Sequence, residues 1–256
     1  MKGKIVLVSG AAQGIGEAVV DTFVDHGAIV AAIDRNKEKL TASALNWQRK
    51  GGEVHDFPTD VSNRAAVHAM IEKIETDIGG IDILVNVAGM IRTGPIEQFS
   101  PEDWEAVFQV NIAGVFHLSQ AVSRYMISRR AGAIVTVSSN AAAVPRKHMS
   151  AYAASKAAAT MFTKCLGLEL AEYNIRCNIV SPGSTDTEMQ RAVWTDEDGG
   201  KKVIEGSLKE YRTGIPLQKI AAPSDIADAV LFLASEQAKH ITMHDLRVDG
   251  GATLGM

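Results

Sequence analysis

Cysteine is nearly absent: only Cys165 and Cys177 occur in the 256 residues. Two are too few for a disulfide scaffold, and neither stands at a metal-ligand spacing, so no metal site is expected. Each falls in an apolar helix or strand pattern and reads as a small buried hydrophobe. Basic residues never run longer than a pair, and the net charge is −4. That balance argues against a general nucleic-acid or anionic-membrane surface. No apolar stretch approaches the ~20 residues of a membrane span. Met1-Lys2-Gly3-Lys4 leads directly into Ile5-Val6-Leu7-Val8, four apolar residues that suit a strand rather than a signal peptide. A cytoplasmic location is therefore expected. Linkers, low-complexity tracts and internal repeats are also missing, so one domain over residues 1–256 is expected.

What is present is the composition of a globular α/β protein, 46% hydrophobic and 22% charged. Short β-branched runs alternate with longer helical patterns. Strands are expected at Lys4–Ser9, Ala28–Asp34, Val54–Phe57, Ile81–Asn86, Ala133–Ser138, Ile175–Ser181 and Asp245–Val248. Helices are expected at Gly14–His26, Lys37–Lys50, Asn63–Ile78, Asp103–Arg130 and Tyr152–Tyr173, with another opening at Pro223-Ser224-Asp225. Pro101 suits the first turn of the long one. Alternation of this kind predicts right-handed crossovers and a parallel sheet with helices on both faces, a doubly wound α/β fold of Rossmann type. Residues 184–214 break the pattern: they are polar and uneven, and include Thr195-Asp196-Glu197-Asp198-Gly199-Gly200. A long irregular segment in a compact domain is either a functional lid or a surface excursion.

Ser9-Gly10-Ala11-Ala12-Gln13-Gly14-Ile15-Gly16 separates the first strand from the first helix. Its glycines permit a tight turn and close backbone approach, and the helix start offers unpaired N–H groups to a pyrophosphate. The G-x-x-x-G-x-G spacing differs from the general G-x-G-x-x-G fingerprint. Asp34 ends the second strand, where a carboxylate binds ribose hydroxyls and repels a 2′-phosphate, which favours NAD over NADP. Arg35 pulls the other way. Asp60-Val61 closes the third strand, and Asp60 reads equally well as an adenine contact or a helix N-cap. Tyr152 and Lys156 stand four apart and share one helix face. A neighbouring cation favours the phenolate and lowers the phenol pKa, making the pair an acid/base device for a hydroxyl.

The glycine pattern, Asn86-Val87-Ala88-Gly89, Asn111, Ser138-Ser139, Tyr152-x-x-x-Lys156 and Pro182-Gly183 occur in one order along the chain. Together they resemble the short-chain dehydrogenase/reductase family over essentially its whole length. One departure is Val87, where the family commonly has asparagine. The resemblance implies Tyr152 as general base, with Lys156 lowering its pKa and holding the nicotinamide ribose. It implies Ser139 as the group orienting the substrate oxygen. It implies Asn111 as the holder of a helix irregularity and of a water linking Lys156 to solvent. Gly10, Gln13, Gly14, Ile15, Gly16, Asp34, Asp60, Val61, Asn86, Ala88 and Gly89 would contact the cofactor. Pro182, Gly183 and Thr187 would border the nicotinamide, Thr187 binding its carboxamide. Such proteins commonly form tetramers through two long helices, here Asp103–Arg130 and Tyr152–Tyr173. Ala157-Ala158-Ala159 would suit close helix approach or internal packing equally.

Variable segments carry a narrower resemblance. Residues Ser181–Arg191 followed by Trp194, Ala143-Val144-Pro145-Arg146, Met149-Ser150-Ala151-Tyr152 and Gly89-Met90-Ile91-Arg92 are similar to a siderophore-pathway branch of the family. So is Val248–Gly255. That branch implies a small cyclic diol carrying a carboxylate, oxidised to a ketone that tautomerises to an aromatic ring. A carboxylate needs a cation or several N–H donors, and Arg146, Arg191 and then Arg92 are the candidates. Gln190 would read a hydroxyl, and Met149, Met189 and Trp194 would enclose the ring. Two alternatives compete. A 3-oxoacyl carrier-protein reductase or polyol dehydrogenase would share the fold, though Asp34 and the acidic balance disfavour the reductase. A non-catalytic sensor of NAD(H) would have no need of Asn111, Ser139, Tyr152 and Lys156 together.

Overall fold

The computed structural model describes residues 1–194 and 198–255; Thr195-Asp196-Glu197 of the expected lid lie outside the described residues. Alternation along the first strand decides the layering. In β1 (Ile5–Ser9), Val6 and Val8 join one apolar cluster while Ile5 and Leu7 join another. A strand buried on both faces needs helices on both sides. The chain supplies them in turn. First come α1 (Gly14–Asp25), β2 (Ile29–Asp34), α2 (Lys37–Arg49), β3 (Glu53–Pro58), α3 (Arg64–Asp77) and β4 (Ile83–Asn86). Then follow α4 (Pro101–Phe108), α5 (Gly114–Arg129), β5 (Gly132–Val137), α6 (Ser150–Leu170) and β6 (Ile175–Pro182). The short α7 (Glu188–Arg191) and α8 (Gly199–Glu205) precede α9 (Pro223–Ala234) and β7 (Asp245–Val248).

All seven strands pair in parallel, in the order β3-β2-β1-β4-β5-β6-β7. Buried residues of α1, α2 and α9 pack with Val6, Val30, Val85 and Val135 on one face. Residues of α3, α5 and α6 pack with Leu7, Ala31, Leu84 and Ile134 on the other. The doubly wound fold expected from the alternation is the one observed. Strand order reverses between β1 and β4, and the carboxyl ends of strands at such a reversal open a crevice for ligands.

Three local expectations need correction. The region Asp103–Arg130 is not one helix, because α4 and α5 are separated by a π-helical turn, Gln109–Ala113. Asn111, fully buried in that turn, binds a neighbouring backbone: its Oδ1 accepts from the Met90 N–H at 2.8 Å, and its Nδ2 donates to the Met90 carbonyl at 2.9 Å. Widened turns of this type gather at functional sites. Residues 184–214 are less irregular than expected, holding α7, α8 and an antiparallel bridge between Ser207 and Arg212. Cys177 is buried as expected but Cys165 is exposed, because it shares the outer face of α6 with Met161 and Leu168. Among the described residues no helix is long and apolar enough to cross a membrane.

Candidate active site

A cavity of ≈ 680 Å³ opens at the carboxyl ends of the central strands. Its first wall is backbone. After β1 the chain turns at Gly14 (φ +60°), a left-handed conformation that suits glycine. A Cβ on Gly16 would overlap the Gly10 carbonyl oxygen, so close packing of the turn on itself requires glycine there. Gln13 occupies the N-cap of α1 without a side-chain cap, so the first N–H groups of that helix keep their capacity for an anion. The Asp34 carboxylate ties this turn to β2: Ala12 N–H donates to Oδ2 at 3.2 Å and Asn36 N–H donates to Oδ1 at 2.9 Å. Asp34, Arg35, Asp60 and Val61 line the same end of the cavity. Asp60 is not the cap of α3; that is Asn63, whose Oδ1 accepts from Ala66 N–H, while Asp60 accepts from Ser62. The uncapped helix start, the carboxylate at the β2 end and the glycine turn between them fit a dinucleotide.

The second wall carries titratable groups. Tyr152 and Lys156 lie on the first turns of α6, and Lys156 Nζ donates to the Val137 carbonyl at the end of β5, at 2.9 Å. Its ammonium stands 5.9 Å from the centre of the Tyr152 ring. Burial lowers the Lys156 pKa from 10.5 to about 8. Burial also pushes the Tyr152 phenol above its ordinary value, while a hydrogen bond with Ser139 works the other way. Lys156, its Nζ engaged with Val137, is not among the causes that move the phenol, and burial is the largest of those causes. Ser139 also caps the short turn that follows β5, accepting from Ala141 N–H at 3.1 Å. Ser138 braces α6 from below, through the Lys156 carbonyl at 3.1 Å and the Thr160 hydroxyl at 2.6 Å.

Asn111 stands behind this wall. Its Nδ2 donates to Ser155 Oγ at 2.9 Å, and a Cβ on Gly89 would lie 3.4 Å from both Asn111 Oδ1 and Lys156 Nζ. Asn111 and Lys156 thus converge on Gly89 without Asn111 reaching the cavity wall. Asn86, expected at the cofactor, does not line the cavity either. Its buried amide donates to Ser119 at 3.2 Å and Thr136 at 3.4 Å, holding the end of β4 against α5 and β5. Val87, Ala88 and Gly89 line the wall in its place.

The third wall comes from loops. Pro182 and Gly183 end β6, and Thr187 caps α7 by accepting from Gln190 N–H at 3.2 Å. The Thr187 methyl lies 3.2 Å from where a Gly14 Cβ would be, so α7 begins against the glycine turn. Lys39 adds a bridge, donating to Gln13 Oε1 at 3.0 Å and pairing with Glu188 at 3.0 Å. Arg146, Met149, Met189, Gln190 and Trp194 all line the same cavity as Ser139 and Tyr152. Arg191 does not: its Nε donates to Asp186 at 2.7 Å on the exposed side of α7. Arg92 is likewise turned away, paired with Asp103 at 3.1 Å. Burial, and next the charge of Arg212, hold the Arg146 guanidinium below its ordinary pKa, with Asp249 pulling the other way. Sequence reasoning missed Arg212, Glu210 and His148, which also line the cavity. Nothing local marks them, since they lie on loops without periodicity.

Residues 4–198 match the family profile described as short chain dehydrogenase. The chain is 61% identical over 256 residues, covering 100% of it and 98% of the relative, to 2,3-dihydro-2,3-dihydroxybenzoate dehydrogenase of Bacillus subtilis (strain 168). It is 44% identical over 250 residues, 97% of this chain and 95% of the relative, to the vibriobactin-specific 2,3-dihydro-2,3-dihydroxybenzoate dehydrogenase of Vibrio cholerae serotype O1 (strain ATCC 39315 / El Tor Inaba N16961). Among solved structures, a gluconate 5-dehydrogenase from Burkholderia cenocepacia J2315, in complex with NADP and tartrate, superposes with a TM-score of 0.92. It is 33% identical, with coverage of 100% of this chain and 97% of that one.

Proposed function

Because the chain belongs to the short-chain dehydrogenase/reductase family, whose cofactor is a nicotinamide dinucleotide, we propose that it oxidises 2,3-dihydro-2,3-dihydroxybenzoate to 2,3-dihydroxybenzoate with NAD, in siderophore biosynthesis. The observation that carries this reading is one cavity holding both an alcohol-handling set, Ser139 with Tyr152 and Lys156, and a guanidinium, Arg146. A ring hydroxyl seated between Ser139 and Tyr152 loses its proton to the phenolate oxygen of Tyr152 as its carbon loses hydride. NAD, when bound, supplies the hydride acceptor and a positive ring beside the phenol. Lys156 adds a second positive charge, and Ser139 holds the oxygen in line. The ring ketone then gives up a ring C–H proton and gains an O–H, becoming aromatic.

Asp34 supports NAD over NADP. Its carboxylate is fixed by Ala12 and Asn36 at the ribose end, where a 2′-phosphate would meet like charge. Residues 184–214 act as the lid, docked on the glycine turn through Thr187 and the Lys39–Glu188 pair. The active form is a homotetramer: Met161, Cys165 and Leu168 leave an exposed stripe on α6 beside the half-exposed Phe116 of α5, which a second copy would cover.

The test is NADH formation at 340 nm with the carboxylated diol, run in parallel with NAD and NADP. Turnover with NAD, accompanied by fluorescence of the catechol-type product, supports the reading. Activity confined to 3-oxoacyl or polyol substrates overturns the substrate while keeping the Ser139/Tyr152/Lys156 chemistry.

A further inference from the structure

Two guanidiniums share the substrate end of the cavity, and the function above uses one of them. Arg146 lies on the loop before α6, and Arg212 lies on the loop after α8. Among the described residues, the Arg146 guanidinium makes no hydrogen bond or ion pair, and it feels only the charges of Arg212 and Asp249. The Arg212 Nε is buried and also lacks a hydrogen bond. Glu210 Oε2 stands 3.4 Å from that Nε, an ion-pair contact without hydrogen-bond geometry. A buried guanidinium nitrogen left in that state costs stability unless a ligand answers it.

The backbone beneath Arg212 is well fixed. Arg212 N–H donates to the Ser207 carbonyl and Ser207 N–H to the Arg212 carbonyl, both at 2.9 Å. One step further on, Ile215 N–H donates to the Ile204 carbonyl at 2.8 Å. The loop neck is thus closed, and Arg212 is presented from it. Other groups nearby are already committed. Lys147 Nζ donates to the Lys209 carbonyl at 3.0 Å and lies over the Tyr211 ring. The Asp249 carboxylate accepts from Thr253, Gly251 and Asn140. The charge of Arg212 is felt at Arg146, where it disfavours a second cation. Two neighbouring cations with spare donors, facing one cavity, are arranged for a shared anion.

We propose that Arg212 is a substrate-binding residue which, with Arg146, grips the carboxylate of the ring diol in a two-cation clamp. The inference rests on the carboxylated-diol reading above. Its consequence is that specificity for the carboxylate is set jointly by the loop before α6 and by the segment beyond α8.

The experiment measures binding of 2,3-dihydroxybenzoate and of catechol to the NAD-saturated protein, by titration calorimetry. It compares the wild type with Arg146→Met, Arg212→Met, the double variant and Arg212→Lys. Arg212→Met is expected to weaken 2,3-dihydroxybenzoate about 10-fold or more while changing catechol less than about 2-fold. The double variant is expected to lose less than the product of the two single losses, because both cations serve one carboxylate. Arg212→Lys should recover part of the loss by keeping the charge. Equal weakening of both ligands by Arg212→Met, or no change in either, overturns the clamp. A wild type that prefers 2,3-dihydroxybenzoate, joined to an Arg212→Met variant that keeps this preference, removes Arg212 alone. A wild type that binds both ligands equally removes the carboxylated-diol reading and the clamp with it.

Discussion

The two ends of the cavity are built from different materials. At the cofactor end the wall is mostly backbone, the glycine turn folded on itself and the open N-terminus of α1, with one side chain, the Asp34 carboxylate, held by two N–H groups. At the substrate end the wall is side chains, delivered by the loop before α6, by α7 and its sequel, and by the Ser207–Arg212 loop. A backbone wall changes only when the fold changes. A side-chain wall changes with single substitutions. The same architecture can therefore keep its dinucleotide end while its substrate end varies. Tyr152 stands where the two ends meet.

The largest effect is expected at that junction. Tyr152→Phe removes the proton acceptor and leaves the ring, so kcat should fall by about 10²–10⁴-fold. NAD binding, measured by calorimetry, should stay within about 2-fold, because Lys156 keeps its bond to Val137. Loss of both together would mean that Tyr152 belongs structurally to the cofactor end.

The cofactor end was also the more legible in sequence. Its glycines stand between a recognisable strand and helix, and Asp34 ends the next strand, so local pattern suffices. Strand alternation and helix periodicity likewise carried the doubly wound fold. What local pattern missed depends on partners distant in sequence. The π-turn around Asn111 is answered by the backbone of Met90. Asn86 faces Ser119 and Thr136 instead of the cavity. Arg146 and Arg191 look alike as residues on polar segments, yet one faces the cavity and the other meets Asp186. Arg212 has no pattern around it at all. The Tyr152/Lys156 spacing was readable, but the balance between burial and the Ser139 hydrogen bond at the phenol needs the folded surroundings.

A matched glycine pair tests the difference in materials. At Gly16 an added Cβ overlaps backbone, and backbone cannot move aside cheaply. Gly16→Ala should cost on the order of 2–4 kcal/mol in urea unfolding and abolish NAD binding. At Gly200, in α8, the nearest atom to an added Cβ is 3.6 Å away, an ordinary contact. Gly200→Ala should stabilise by up to about 1 kcal/mol, since alanine is the better helix former. Equal costs at the two sites would show that the turn at Gly16 is not held by backbone packed on backbone.

Lys156 gives a smaller effect with a defined sign. Its folded pKa, about 8, lies below its ordinary value of 10.5. Between those values the unfolded chain holds the proton and the folded chain has released it, so unfolding takes up a proton. Stability from this group is therefore lowest below pH 8 and is gained as pH rises through the window toward 10.5. The gain is on the order of 1–3 kcal/mol. Cys177, whose thiol burial pushes up to about 12, works in the opposite direction at higher pH, but equally in both chains compared. Urea midpoints of the wild type and Lys156→Met should thus converge or cross between about pH 7.5 and pH 10 as the wild type gains on the variant. Parallel curves would show that the ammonium is not desolvated in the folded chain.

The smallest effect is expected where the two arginines of the substrate end part company. Arg191 is an exposed member of a surface pair with Asp186, its side chain 56% accessible. Surface pairs contribute about 0–1 kcal/mol, and this one touches no cavity atom. Arg191→Met should change KM for the carboxylated diol by less than about 2-fold. Arg146→Met, on the cavity wall, should raise the same KM by about 10–100-fold while leaving that for an uncharged cyclic diol near its starting value. A large KM effect from Arg191→Met would require α7 to rotate and release Asp186 when substrate binds. The outer face of α7 would then belong to the working wall, and the substrate end would be defined by a motion of the lid as well as by the side chains that line it here.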